Sequence, residues 1–282
     1  MPRLRCAKGK VQRGEVEEVP SCDKCETNAT KMPRVSDLIA TLRDAGYSDY
    51  MQSVAVELID GLTQYGVYGV GRFIRRLISA ARSSSDYQNY LDIMVEGRFA
   101  LLLAKRGFSA VQLEYSTNGP DISANWSRNA IYFEVKRTRP REDDSRIQNS
   151  VIWKGHDGPN VIGMIQQKMR QLRENERNVI VLWSDTVNLM IDDMDKAFSY
   201  IRQHISRDSN AYRKLGGILF KGGGYSFSPL RQFYLFENSK ALKPLGTRLC
   251  AKLRNLFEQN PRELVDENEA LGRELRRMSN PS

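Results

Sequence analysis

The 282-residue chain carries 43 Lys and Arg against 34 Asp and Glu, a formal net charge of +9, and 40% of its residues are hydrophobic. That is enough apolar material for a sizeable core, and no apolar run is long enough to span a bilayer. The basic excess favours a polyanionic partner, nucleic acid first, over an anionic membrane surface, because no basic amphipathic anchor is evident.

Residues 1–34 are polar, with Pro2, Pro20 and Pro33 and little periodicity, and read as a disordered arm. The opening "MPRLRCAKGK" is basic but lacks the apolar stretch of a secretory signal, so a cytoplasmic or nucleoid-associated protein is expected. Cys6, Cys22 and Cys25 fall in this arm. A closed zinc site needs four ligands, and His156 and His204 are far along the chain, so a solvated arm is the preferred reading over a metal site.

Residues 35–84 read as helical. "VSDLIATLRDAGY" places Leu38, Ile39 and Leu42 on one face, with Ser36 as N-cap and Gly46 as stop, and "YMQSVAVELIDGL" and "VGRFIRRLISAAR" give two further helices. These helices form a small bundle or an arm.

The core is expected over 85–245. It begins with a capped long helix ending at a Gly, then a strand within "SAVQLEYS". The stretch "GPDISANWSRNAIYFEVKR" follows, then the amphipathic helix "VIGMIQQKMRQLRENE", whose buried face is Val161, Ile165, Met169 and Leu172. "NVIVLWSD" is a short buried strand, "DDMDKAFSYIRQHIS" a helix, and "GGILF" and "RQFYLFEN" two late strands around a Gly-rich turn. Residues 246–282 read as a charged helical tail. The order of elements predicts an α/β core with a mixed β-sheet flanked by helices.

In "AIYFEVKR", period two puts Ile131, Phe133 and Val135 on one face and Tyr132, Glu134 and Lys136 on the other. A turn at 127–129 folds a hairpin centred near Arg128, which brings Asp121 opposite residues 134 to 136. Asp121 and Glu134 then lie within reach of one ion. Two carboxylates and a backbone carbonyl suit a hard cation such as Mg²⁺, and a neighbouring Lys can orient water or hold phosphate. A surface salt bridge of Glu134 with Lys136 or Arg137 is the plainer alternative. Upstream, Glu96 stands on an apolar helix face with Phe99, Ala100 and Leu103. A carboxylate there needs a partner, which is a metal or a cation such as Arg98 or Lys105.

With these residues in view, the sequence resembles the PD-(D/E)XK nucleases, of restriction-endonuclease-like fold. The matching residues are Pro120 and Asp121, then Glu134, Val135 and Lys136, with Glu96 on the preceding helix; the resemblance covers roughly residues 86–185. It implies a core of helix, three antiparallel strands, helix and strand. It implies Asp121 and Glu134 as metal ligands, the Val135 carbonyl completing the sphere, Glu96 as accessory ligand, and Lys136 positioning the water. Some members place a Gln on the next helix. Gln166 and Gln167 are the candidates here, Gln166 being preferred for its place on the flank of the buried face. Position 170 is Arg where an exonuclease subgroup has Tyr, which argues against processive end resection.

Arg137, Arg139, Arg141, Arg146 and Lys154 cluster just past the motif and are expected either to clamp phosphates or to form a solvated loop. Trp126, Tyr132 and Trp153 are stacking candidates or core aromatics. The expected function is a Mg²⁺-dependent DNA endonuclease, a hydrolase in which Mn²⁺ also serves. The helices at 35–84 and after 246 would bind DNA or mediate homodimerisation. A non-catalytic DNA-binding module on the same fold, and an RNA-directed nuclease, are the alternatives.

Overall fold

A computed structural model describes residues 33–83, 87–113, 119–138, 158–184, 191–208, 210–222 and 233–257. The arm at 1–32, with Cys6, Cys22 and Cys25, lies outside the described residues.

Three helices come first: α1 (Val35–Asp44), α2 (Asp49–Gln64) and α3 (Val70–Arg82). Gly46, at φ 79°, follows the end of α1 in the left-handed backbone that glycine adopts without a Cβ penalty. Ser36 is not the cap that the sequence suggests. The helix starts earlier, and the Arg34 N–H donates to the Asp37 carboxylate at 2.9 Å. Ser48 does cap α2, accepting from the Met51 N–H.

The long helix α4 (Tyr87–Lys105) leads into β1 (Ser109–Leu113), β2 (Ile122–Trp126) and β3 (Asn129–Thr138). Then come α5 (Gly158–Met169), β4 (Arg177–Ser184), α6 (Ile191–Arg207), β5 (Gly217–Lys221), β6 (Phe233–Glu237) and α7 (Thr247–Arg254). The six strands form one mixed sheet in the order β1-β2-β3-β4-β5-β6. The pairs β1/β2, β2/β3 and β5/β6 are antiparallel, while β3/β4 and β4/β5 are parallel. The expected α/β class with a mixed sheet is therefore what the chain forms.

Both faces of the sheet are covered, which is why β4 and β5 read as continuous apolar runs. Phe133, Val135, Val181, Trp183 and Leu219 share a core with α1 to α4 and α7. Ile180, Leu182, Ile218 and Phe220 share a second core with α5 and α6. Truncating a wholly buried aromatic such as Phe133 to Ala costs about 3–5 kcal/mol.

The N-terminal helices are not a body apart. Leu38, Leu58, Phe73 and Leu77 lie in the same core as α4 and β3, so no packing boundary falls at residue 84. Helix α3 packs on α4 at Gly97, where a Cβ would overlap the Phe73 ring and press on Leu58 Cδ2 at 3.1 Å. The start of the charged tail is likewise core: Leu249, Cys250, Leu253, Leu256 and Phe257 are buried, and Phe257 stacks on Phe233 at 4.3 Å. Burial pushes the Cys250 thiol up to about 12, so it serves as a small apolar side chain. Among the described residues no helix is long and apolar enough to cross a membrane.

Candidate functional site

The β2–β3 hairpin sets the site. Its register pairs Ile122 with Phe133 and Trp126 with Asn129, leaving Ser127 and Arg128 as the turn, with Ser127 at φ 58°. One step further along this register, Asp121 stands opposite Glu134. Pro120, which has no N–H, sits just before the strand begins, where no ladder donor is lost. The Asp121 carboxylate then continues the ladder in the backbone's place, its Oδ2 accepting the Val135 N–H at 2.8 Å. The carboxylate is thereby oriented by the same strand that carries Glu134.

Glu134 projects to the α5 side of β3 and is wholly buried. Lys168, on α5, places its ammonium between the two acids, 2.8 Å from Glu134 Oε2 and 3.0 Å from Asp121 Oδ2. The other oxygen, Glu134 Oε1, is buried with no hydrogen-bond partner among the described residues. Burial, then the neighbouring Asp121, push the Glu134 carboxyl up to about 8, against the downward pull of Lys168. Burial pulls the Lys168 ammonium down, but the two carboxylates outweigh it and hold it above its ordinary range.

Lys168 was not among the residues singled out from the sequence, and a signal for it exists. Val161, Ile165 and Leu172 are buried at a spacing that includes position 168, so a Lys interrupts an apolar stripe. A lysine in such a place needs an acid.

Glu96 is buried on α4 and gripped by Arg76 of α3, with Nη1 to Oε2 at 2.6 Å and Nη2 to Oε1 at 3.2 Å. Its partner is therefore neither Arg98 nor Lys105, because the cation comes from a different helix. Burial, followed by the charge of Asp121, pushes the Glu96 carboxyl up to about 7. Glu96 is thus electrostatically part of the Asp121 cluster.

Lys136 is half-buried on the strand face of Glu134, but the ammonium that bridges the acids is that of Lys168. Gln166 is exposed and its side chain meets the Tyr212 hydroxyl rather than the carboxylates. Arg137 departs from expectation. It is not on a phosphate-holding loop but inside β3, 2% exposed, donating to Gln88 Oε1 at 2.8 Å and Asp92 Oδ1 at 3.3 Å. Period two explains this, since Arg137 shares the inward face of Phe133 and Val135. Tyr132 is buried beneath the Arg173 guanidinium, and Trp126 packs against Phe108 under Lys252. Arg139, Arg141, Arg146, Trp153 and Lys154 lie outside the described residues.

No trio of His, Cys, Asp or Glu set to hold a metal occurs among the described residues. The pair Asp121 and Glu134 nevertheless fits a hard cation, which takes one or two carboxylates and keeps several waters. A cationic group already lies between the two acids, and a buried carboxylate oxygen has no other partner. Compared with protein-family models, with curated proteins and with solved structures, the chain matches none.

Proposed function

We propose that the chain is a Mg²⁺-dependent DNA endonuclease built on a restriction-endonuclease-like core, with Mn²⁺ serving in place of Mg²⁺. The observation that carries this reading is the shared ammonium. Lys168 bridges Asp121 and Glu134 and still leaves Glu134 Oε1 without a hydrogen-bond partner among the described residues. A cluster with two acids, one cation and an unpaired oxygen has room in its charge balance for a divalent ion.

Asp121 and Glu134 would hold that ion, with the Val135 carbonyl beside them and Glu96 as the accessory acid. When bound, it neutralises negative charge that develops on a phosphodiester undergoing hydrolysis. The chain's own residues do the rest. The Val135 N–H fixes the Asp121 carboxylate. Arg76 fixes Glu96. Lys136, on the Glu134 face of β3, orients the attacking water or holds the phosphate, and Lys168 supplies a second cation to the same space.

A second reading has one observation in its favour. Lys168 already neutralises part of the acid pair, as it would in a DNA-binding module that uses the fold only as a scaffold. Incubating the purified protein with linear, circular and branched DNA, and with RNA, in Mg²⁺ and in excess EDTA separates the readings. Cleavage of DNA that requires the cation supports the nuclease. Equal activity in EDTA, or binding without cleavage in either Mg²⁺ or Mn²⁺, overturns it.

A further inference from the structure

The proposed chemistry needs a polyanion brought to Asp121 and Glu134, and α3 leads there. One face of this helix, led by Phe73 and Leu77, is core. The other carries Arg72, Arg75 and Arg82 exposed and Arg76 half-exposed, and the helix contains no acidic residue. At about 1.5 Å of rise per residue, the step from 72 to 82 is about 15 Å, the axial length of about four phosphates along one strand. The stripe touches the site, because Arg76 is bound to Glu96. The adjoining helix α2 has the opposite sign, with exposed Asp49, Glu57 and Asp60 and no Lys or Arg, so the basic character is local to α3.

The N-terminal end of α3 adds two exposed aromatics. Tyr65 and Tyr68 are 48% and 63% exposed. Tyr68 is held on a rigid frame: its N–H donates to the Val111 carbonyl at 2.9 Å, and its carbonyl accepts from the Leu113 N–H at 3.0 Å. An exposed ring on a fixed backbone beside a row of arginines is the pairing that serves base stacking with phosphate contact.

We infer that α3 is the track on which a nucleic-acid strand with unpaired bases is held, with Arg72, Arg75 and Arg82 on its phosphates and Tyr65 and Tyr68 against its bases. This rests on the nuclease reading for its polymer, but its test reads binding without cleavage. The full chain, in EDTA, is titrated by fluorescence anisotropy against a labelled single-stranded DNA and the matching duplex across a salt series. Arg72→Gln/Arg75→Gln/Arg82→Gln should weaken binding of both by about tenfold or more. It should also flatten the salt dependence by about two units, at about 0.7 to 0.9 per phosphate contact. Arg207→Gln/Lys240→Gln/Lys243→Gln removes the same charge from exposed positions elsewhere and should leave the slope unchanged. Tyr68→Ala should weaken single-strand binding about fivefold, with the duplex unaffected.

Equal losses in the two triple variants would reduce the track to net charge and overturn the inference. So would wild-type binding by the arginine triple, and equal Tyr68→Ala effects on single strand and duplex would overturn the unpaired-base part. Circular dichroism and thermal melting verify folding, and Arg75→Gln and Arg82→Gln tested singly decide the matter if the triple does not fold. If the wild type binds through α3 but cleaves nothing in Mg²⁺, the nuclease reading fails and the track stands. If it cleaves but ignores the α3 changes, the reverse holds.

Discussion

The two faces of β3 carry two buried charge clusters of opposite construction. On the α4 face the Arg137 guanidinium meets Gln88 Oε1 at 2.8 Å and Asp92 Oδ1 at 3.3 Å, a cation beside an acid. On the α5 face, Lys168 bridges both Asp121 and Glu134, and one oxygen of Glu134 has no hydrogen-bond partner among the described residues. Both clusters hang on one strand and are largely buried, and they differ in that the α5 cluster sets two acids against one bridging ammonium. Where cation and acid are matched, removing either member is costly. An unbalanced pair keeps a cost that a further cation relieves, and strained electrostatics of this kind mark functional sites.

The largest expected effects fall on the unbalanced side. Asp121→Ala and Glu134→Ala should each lower DNA cleavage by about a thousandfold or more while leaving the circular dichroism spectrum and DNA affinity unchanged. Cleavage near the wild-type rate in either variant would make the acid pair structural and erase the contrast between the faces. Lys136→Ala should slow single-turnover cleavage roughly a hundredfold with little change in affinity. Lys168→Met sharpens the test, because losing the bridging ammonium should lower the metal-free melting temperature and enlarge the rise produced by Mg²⁺. If Lys136→Ala is silent and Lys168→Met abolishes cleavage, the working lysine is the helical one.

On the balanced side, Arg137→Leu should destabilise the protein by about 3 kcal/mol, since it removes the cation beside the largely buried Asp92 carboxylate. Urea denaturation measures this, and a loss of DNA affinity in a fully folded variant would return Arg137 to the phosphate-binding set. The smallest effect is on pH dependence. Glu96 and Glu134 have carboxyls raised to about 7 and about 8. Their protonated forms are favoured by folding. The stability they contribute is therefore present below the ordinary carboxyl range and lost as pH climbs through these values. The metal-free melting temperature should fall between about pH 5 and pH 8, Glu134→Gln should flatten that fall, and Mg²⁺ should oppose it. A flat profile for the wild type would mean that Glu134 is ionised at little cost and the α5 cluster is balanced after all.

Much of this arrangement is legible in the chain. Alternation over residues 131–136 and a turn at 127–129 place Asp121 opposite residues 134 to 136, and the two-residue turn at Ser127 and Arg128 settles it opposite Glu134. Glu96 is legible as a carboxylate on an apolar stripe. Its partner is not, because Arg76 belongs to a helix whose packing angle no local pattern encodes. Lys168 is hidden for a related reason: the parallel crossover from β3 through α5 to β4 brings it to Glu134 from 34 residues away. Arg137 was obscured by its type. Arginine is seldom fully buried, so its type argues for a place outside the strand, although its parity places it inside.

Gly97 gives the site a dimension that no charged residue sets. It neighbours Glu96 on α4, and the ring it admits, Phe73, lies one turn before Arg76 on α3. The close contact at this notch and the Glu96–Arg76 ion pair therefore join the same two helices within one turn. A single added methyl at position 97 must shift the Phe73 ring or part the helices, and either movement reaches Arg76 before it reaches solvent. A purely steric change at position 97 is therefore expected to loosen the Arg76 grip on Glu96.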